Sequence, residues 1–297
     1  MADQSQANSH KDNVPLGILA AIAAFFSFSV MITLAKILSE QHSVIEIAFY
    51  RNLVACLPFL VTIFFFQRRD ILRLQSKPRI VGLRALFGVV SLSLTFYAYS
   101  LMPMADATAL RFTSSLIVPL LGILMLGEHV GAFRWSAVVL GFIGVLIMLQ
   151  PGGGAHYFGA IVALTAAALQ AVMQIMLRFL RGYERPETIA FYFVLIGTIV
   201  TAIPLPFIFV MPTSDELPLI IGLGLAGALA QWMLTLAYSL APVAIVAVLN
   251  YTSILWATLF GWFVFADWPA DVVFAGAAVV ILSNAFVVWR ESRLAAR

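Results

Sequence analysis

Residues 98–105 read Ala-Tyr-Ser-Leu-Met-Pro-Met-Ala and residues 237–244 read Ala-Tyr-Ser-Leu-Ala-Pro-Val-Ala, so the chain states one phrase twice, with Tyr99 and Tyr238 139 residues apart in a total of 297. The same spacing joins Gly88 to Gly227, Thr113-Ser114 to Thr252-Ser253, and Glu128 to Asp267. Upstream the spacing becomes 142, which implies a small length change in a loop. There Ile47-Ala48-Phe49-Tyr50 matches Ile189-Ala190-Phe191-Tyr192, Val30-Met31 matches Val172-Met173, Gly17 pairs with Gly159, and Lys36 with Arg178. Several matches in order are a duplication, and a duplicated chain must fold as two similar halves.

The material between the matches belongs in lipid. Hydrophobic residues make up 62% of the chain and charged residues 10%, against about 25% charged in soluble domains. Apolar runs near the ~20 residues that cross a bilayer core predict ten helices, at 15–37, 44–66, 80–101, 106–127, 132–150, 157–179, 187–210, 217–239, 243–265 and 270–289. The predicted fold is an all-α membrane protein of ten transmembrane helices in two inverted five-helix repeats, 15–150 and 157–289. Residues 1–14 and 290–297 are expected to be cytosolic tails. The polar N-terminal segment lacks a basic n-region and reads as a tail rather than a signal peptide.

Basic residues give the orientation. With the N-terminus in the cytosol, thirteen of the seventeen Lys and Arg fall on the cytosolic side, Lys36 alone falls at the outer side, and Arg51, Arg84 and Arg111 lie within helices. That asymmetry follows the positive-inside rule and places both termini in the cytosol, in a bacterial inner membrane. Because five is odd, the second copy enters the bilayer from the opposite side. The halves are then related by a pseudo-two-fold axis in the membrane plane, as in many secondary transporters, with a substrate cavity between them near the midplane.

Phe49-Tyr50-Arg51, Gly82-Leu83-Arg84, the stretch from Ala98 to Ala105, Pro119, Leu126-Gly127-Glu128, Trp135 and Gly141-Phe142-Ile143-Gly144 together resemble the drug/metabolite transporter superfamily, EamA type, over essentially the whole chain. The second to fourth spans are similar to the branch that contains S-adenosylmethionine carriers. The resemblance implies a ten-helix carrier in which helices 1, 3, 4, 6, 8 and 9 surround a central cavity. Helices 5 and 10 would support it or form a homodimer. The second half departs from the pattern, with Ala266-Asp267-Trp268 for Leu-Gly-Glu and Thr258 for the proline.

Three intramembrane arginines stand out, because each costs at least about 2.5–3.5 kcal/mol to insert and needs a partner or water. Arg51 and Arg111 sit a turn and a half to two turns from the outer surface and are expected to face one site, holding a carboxylate or phosphate through bidentate bonds. Capping of backbone carbonyls is the structural alternative. Arg84 lies near the cytosolic end of its span, where snorkelling or a gating role is expected. A neutral polar set, Gln170, Gln174, Gln231, Trp232, Asn250 and Tyr251, joins Tyr99 as candidate substrate contacts; helix-to-helix hydrogen bonding is the alternative. Pro119 is expected to kink the fourth span as a hinge, and Glu128 to bond loop backbone.

The function expected is a secondary transporter that moves a small organic metabolite, anionic or zwitterionic, amino-acid-like or S-adenosylmethionine-like, by alternating access. No cofactor, catalytic residue, metal site or nucleic-acid partner is expected. Cys56 is the single cysteine, and nothing resembles a phosphate-binding Gly-rich loop. A membrane-embedded enzyme would need clustered titratable groups; His10, His42, His129 and His156 are scattered. A channel or a receptor remains as the other alternative.

Overall fold

The computed structural model describes residues 14–126, 132–149, 157–180, 183–241, 245–246 and 249–295. Glu128 and His129 lie outside these, as do residues 1–13 of the expected N-terminal tail. The described residues form helices and no strand: α1 Val14–Leu38, α2 Val44–Phe64, α3 Pro78–Leu101, α4 Met104–Arg111, α5 Thr113–Leu126, α6 Ala132–Leu149, α7 Tyr157–Leu180, α8 Pro186–Ala202, the single turn α9 Leu205–Ile208, α10 Leu217–Leu240, α11 Thr252–Phe265 and α12 Asp271–Ala295.

Five of them are long and apolar enough to cross a bilayer: α1, α2, α3, residues Tyr157–Leu177 of α7 and Leu217–Ala237 of α10. Pro186–Ala202, Thr252–Phe265 and Asp271–Ser283 are shorter apolar helices. Large apolar side chains such as Leu57, Phe64, Ile199, Trp262 and Phe263 are exposed around the bundle. On a soluble protein that much exposed apolar surface would drive association; against lipid it is solvated.

Local chemistry sets the helix starts. Ser43 caps α2 in a reciprocal box with Glu46: the Ser43 hydroxyl accepts from the Glu46 N–H, and the Glu46 carboxylate accepts from the Ser43 N–H. Pro78 and Pro186 occupy the first turns of α3 and α8, where a missing N–H costs nothing.

Three boundaries differ from the sequence expectation. Helix α8 stops at Ala202 rather than near 210, because Pro204 and Pro206 break the ladder and leave only one further turn. The fourth span is interrupted at Phe112, not at Pro119: Phe112 donates to Ala109 and Ser115 donates to Phe112 in tight turns, and α5 then runs through Pro119 as one helix. Helix α12 continues to Ala295, six residues beyond the apolar span, since Arg290-Glu291-Ser292-Arg293-Leu294-Ala295 contains neither Gly nor Pro to stop it.

Helix α1 packs on α10, α3 on α7, α2 on α8 and α6 on α12; α3 also meets α8 while α2 meets α10. Glycines permit the closest approaches. A Cβ at Gly17 would lie 2.6 Å from the Ala241 Cβ, one at Gly159 2.9 Å from the Met102 Cε, and one at Gly144 2.7 Å from the Gly276 carbonyl oxygen.

Candidate functional site

Arg51 projects from α2 into the interior and is 3% exposed. Its Nη1 donates to Asn52 Oδ1 at 3.1 Å, while its Nε has no acceptor. Space for it is made by Gly227 of α10, where a Cβ would meet Met31 Sδ at 2.9 Å and Arg51 Nε at 3.2 Å. The guanidinium carbon lies 5.8 Å from the centre of the Phe193 ring on α8. Phe193 finds its own room at Gly88 of α3, where a Cβ would meet the ring at 2.6 Å and Met173 Cε at 2.9 Å.

Arg84 of α3 reaches the same ring, its guanidinium carbon 5.9 Å from the Phe193 centre. Both distances fall within cation–π range. Nε and Nη1 of Arg84 are buried without acceptors. Arg51 and Arg84 thus each reach the Phe193 ring, an aromatic partner rather than a carboxylate.

Arg111 lies elsewhere. It lines a small pocket with Thr95, Ala98, Tyr99, Ala107, Ala163 and Ala166, with a cavity volume of about 10 Å³. That is below the ~300–1,000 Å³ of pockets that enclose drug-sized ligands. Tyr99 is buried there, and its hydroxyl shares a 2.8 Å hydrogen bond with Thr108 Oγ1, which in turn donates to the Met104 carbonyl. The tyrosine therefore ties the end of α3 to α4.

The neutral polar residues are dispersed. Gln170 is half-buried on α7, one turn beyond Ala166, whose carbonyl accepts from Ser91 Oγ at 3.0 Å. Gln174, Gln231 and Trp232 are exposed. Gln231 lies one turn beyond Gly227, on the same side of α10. Asn250 and Tyr251 lie at the turn that opens α11, where the Asn250 carbonyl accepts from the N–H and the hydroxyl of Ser253. Tyr251 meets Phe112 edge to face, ring centres 5.0 Å apart. The two chain interruptions thus touch each other.

Polar clasps close the ends, and sequence reasoning missed them. On one face, Lys36 Nζ donates to Asp267 Oδ2 at 3.0 Å and to the Met102 carbonyl at 3.1 Å, and lies 4.6 Å from the Phe265 ring centre. Nearby, Glu46 also accepts from the Val210 N–H at 2.7 Å, and buried His42 lies between Glu46 and Glu216, at 3.7 and 3.4 Å. Bonds from the N–H and hydroxyl of Thr213 hold the Glu216 carboxyl below its usual range.

On the other face, Glu184 accepts the consecutive N–H groups of Gln75, Ser76 and Lys77 at 2.7–2.8 Å. Burial pushes its carboxyl up, but those three donors outweigh it and the net displacement is downward. Asp70, paired with Arg68 and Arg185, anchors the same loop, as does the Tyr192 hydroxyl through the Leu72 carbonyl. The Ser-x-x-Glu spacing at residues 43–46 was a readable signal for the first clasp. Glu184 binds backbone 107–109 residues away, and no local pattern marks it.

A helical bundle coated in apolar side chains, with charge gathered at its ends and a few buried cations inside, is an integral membrane protein. The EamA-like transporter family model matches it twice, over residues 15–150 and 157–289, and the chain belongs to that family, whose members are transporters rather than enzymes. It is 32% identical over 276 residues to a pseudopaline exporter of Pseudomonas aeruginosa, covering 92% of this chain and 95% of the relative. A riboflavin transporter of Vibrio cholerae is 29% identical, with 95% of each chain covered. An S-adenosylmethionine uptake transporter of Rickettsia bellii is 24% identical over 94% and 95%. A solved crystal structure 18% identical in sequence shares the fold, with a TM-score of 0.64 over 93% of this chain and 97% of the other.

Proposed function

We propose that this chain is a secondary carrier that moves a small organic metabolite across a bacterial inner membrane by alternating access. Its two five-helix halves, 15–150 and 157–289, are inverted with respect to each other, and both termini are cytosolic. The observation that carries this reading is that sequence-equivalent residues meet. Arg51 touches Phe193 and Cys56 Sγ lies 3.7 Å from Thr198 Oγ1, both pairs 142 apart; Phe112 touches Tyr251, 139 apart. A residue can contact its own equivalent only on the axis that exchanges the halves.

Contacts off the axis occur in reciprocal pairs, which supports the same symmetry. Gly17 packs on Ala241 while Gly159 packs on Met102, and the repeat equates Gly17 with Gly159 and Met102 with Ala241. Gly227 faces Met31 and Arg51, and Gly88 faces their equivalents Met173 and Phe193. An odd number of spans per half puts that axis in the membrane plane, so that one packing scheme serves as a gate at each face.

Lys36–Asp267 is the outer latch of this carrier. The repeat equates Lys36 with Arg178 and Asp267 with Glu128. The breaks at Phe112 and Tyr251 serve as paired hinges, with Pro119 softening α5 below the first. The relatives carry metabolites rich in heteroatoms, namely pseudopaline, riboflavin and S-adenosylmethionine, and the substrate here belongs to that size class. The test is a Lys36→Cys and Asp267→Cys pair in a Cys56→Ser background. Oxidation to the disulfide is expected to abolish counterflow in proteoliposomes, and reduction to restore it. Undiminished counterflow through fully cross-linked protein would refute alternating access at this latch.

A further inference from the structure

We propose that the segment from Phe64 to Arg79 is a docking surface for anionic phospholipids of the cytosolic leaflet, with arginines on headgroup phosphates and phenylalanines among acyl chains. It goes beyond the carrier reading, from which it takes only the name of the leaflet. Phe64, Phe65 and Phe66 are 73%, 82% and 72% exposed. Cations follow at once: residues 68–79 hold Arg68, Arg69, Arg73, Lys77 and Arg79 against the single acid Asp70. Asp70 pairs with Arg68, and Lys77 Nζ lies 5.2 Å from the centre of the Tyr183 ring. Arg69, Arg73 and Arg79 are exposed and have no acidic partner among the described residues.

Depth turns these charges into a lipid site. Gln67 takes a left-handed φ of 53° and folds the chain back, so that the Arg68 N–H donates to the Thr62 carbonyl at 3.4 Å. Ile71, in the 3₁₀ turn Arg69–Leu72, is buried with Ile63 of α2 and Phe191 of α8. The 3₁₀ turn therefore lies beside the last turn of α2 rather than beyond it. Exposed aromatic side chains at the end of a span belong at the lipid boundary. The headgroup layer there is about 5–7 Å deep on each side, and Arg69 follows Phe66 by three residues, ~10 Å of fully extended chain at most. Guanidiniums this close to the phenylalanines stand among phosphates rather than in bulk water.

The segment is fixed by contacts that leave these three arginines open. Asp70 also pairs with Arg185, the Tyr192 hydroxyl donates to the Leu72 carbonyl, and Glu184 accepts the N–H groups of Gln75, Ser76 and Lys77. A backbone ordered in advance lowers the entropy cost of binding. Guanidinium matches phosphate through two parallel N–H bonds, and the cytosolic leaflet carries net negative charge. A zwitterionic headgroup sets an ammonium beside its phosphate, which repels the same arginines. The occupant is therefore anionic, with several headgroups spread along the segment rather than one anion shared by all the cations.

The experiment is thermal unfolding of the purified full-length protein in detergent. It is titrated with phosphatidylglycerol, with phosphatidylcholine of the same acyl chains, and with inorganic phosphate; a ligand of the folded state raises the melting temperature. Phosphatidylglycerol is expected to raise it by several degrees more than phosphatidylcholine. Its half-maximal effect should come at a concentration at least ~10-fold lower, since each arginine near an anionic surface contributes about fivefold in affinity. The combined variant Arg69→Gln, Arg73→Gln, Arg79→Gln should lose the difference between the lipids and melt like wild type in phosphatidylcholine. Lysine at the same three positions should keep most of the difference. A control, Arg290→Gln with Arg293→Gln, removes charge outside the segment and should retain it.

Equal shifts with the two lipids overturn the proposal, as does a preference that survives in the triple glutamine variant. An equal loss in the control marks a general effect of charge and overturns it too. Inorganic phosphate acting as phosphatidylglycerol does also overturns it, because the segment then takes free phosphate rather than a headgroup. Should the triple variant fail to fold, Arg69→Gln, Arg73→Gln and Arg79→Gln are each expected to weaken the preference, and three unchanged preferences refute it. None of these measurements involves transport, so the carrier reading stands or falls separately.

Discussion

Glu184 is the residue whose loss should most weaken the fold without touching the axis. Its two oxygens take three consecutive backbone N–H groups, Gln75 on Oε2 and Ser76 and Lys77 on Oε1. In Glu184→Gln one oxygen remains. Placed toward Ser76 and Lys77 it keeps two bonds without their charge assistance, and the new NH₂ faces the Gln75 N–H, donor against donor. Hydrogen bonds to charged groups are worth about 1.5–3 kcal/mol against ~0.5–1.5 kcal/mol for neutral ones, and an orphaned donor costs ~1–3 kcal/mol. The expected loss is about 2–4 kcal/mol, or roughly 4–8 °C in melting temperature at ~2 °C per kcal/mol.

Cys56 supplies the assay, being the single cysteine and buried: a thiol-reactive dye reports unfolding as the protein is heated in detergent. The pH dependence gives a second check. The Glu184 carboxyl titrates below its ordinary 4.5 in the folded protein. Its contribution is therefore complete above that value and is lost as pH falls through the lower, folded-state value. The gap between wild type and Glu184→Gln should hold at neutral pH and narrow below about pH 4.5. A variant that melts within a degree of wild type, with the same pH profile, would refute the clasp.

Two further outcomes follow from backbone geometry, read by the same assay. Ala266 ends α11 in the left-handed conformation, φ 54°, at the position the repeat equates with Gly127; Ala266→Gly is expected to raise stability by about 0.5–1 kcal/mol, since a Cβ there costs ~1–2 kcal/mol and glycine returns part of that as unfolded-state entropy. A Cβ at Gly224 would lie 2.2 Å from the Cβ of Val54, which is fixed to backbone and cannot swing away. Gly224→Ala should cost about 1–3 kcal/mol, whereas Gly82→Ala, with nothing within 4 Å, should be neutral or stabilising.

Much of the helical layout was legible because lipid leaves so few alternatives: an apolar run that cannot satisfy its backbone any other way becomes a helix. The ends of α8 and α12 were readable in principle from Pro204 and from the absence of a breaker after Arg290. The break at Phe112 was not. Proline draws attention to residue 119, yet the interruption falls where Phe112 meets Tyr251 across the interior, a tertiary contact that no local pattern encodes. The arginines failed to sort themselves for a related reason. Depth along a helix can be counted from sequence, and it separated Arg84 from Arg51. Direction around the helix cannot be counted for a side chain this long, and direction is what brings both to Phe193.

In the carrier proposed above, contacts on the axis give a symmetric scaffold the means to hold an asymmetric substrate. In the proposed carrier a position off the axis is used twice, once in each gate; Gly17 with Gly159 and Gly88 with Gly227 kept their identity, while Met102 has an alanine, Ala241, as its counterpart. A position on the axis meets its own equivalent, so the two copies form one contact and are free to become different partners. Arg51 faces Phe193, Cys56 faces Thr198 and Phe112 faces Tyr251, three pairs in which no residue matches its counterpart. Divergence at these three pairs beside glycines retained off the axis fits the carrier proposed above, in which specificity changes along the axis while the closest helix packing is kept.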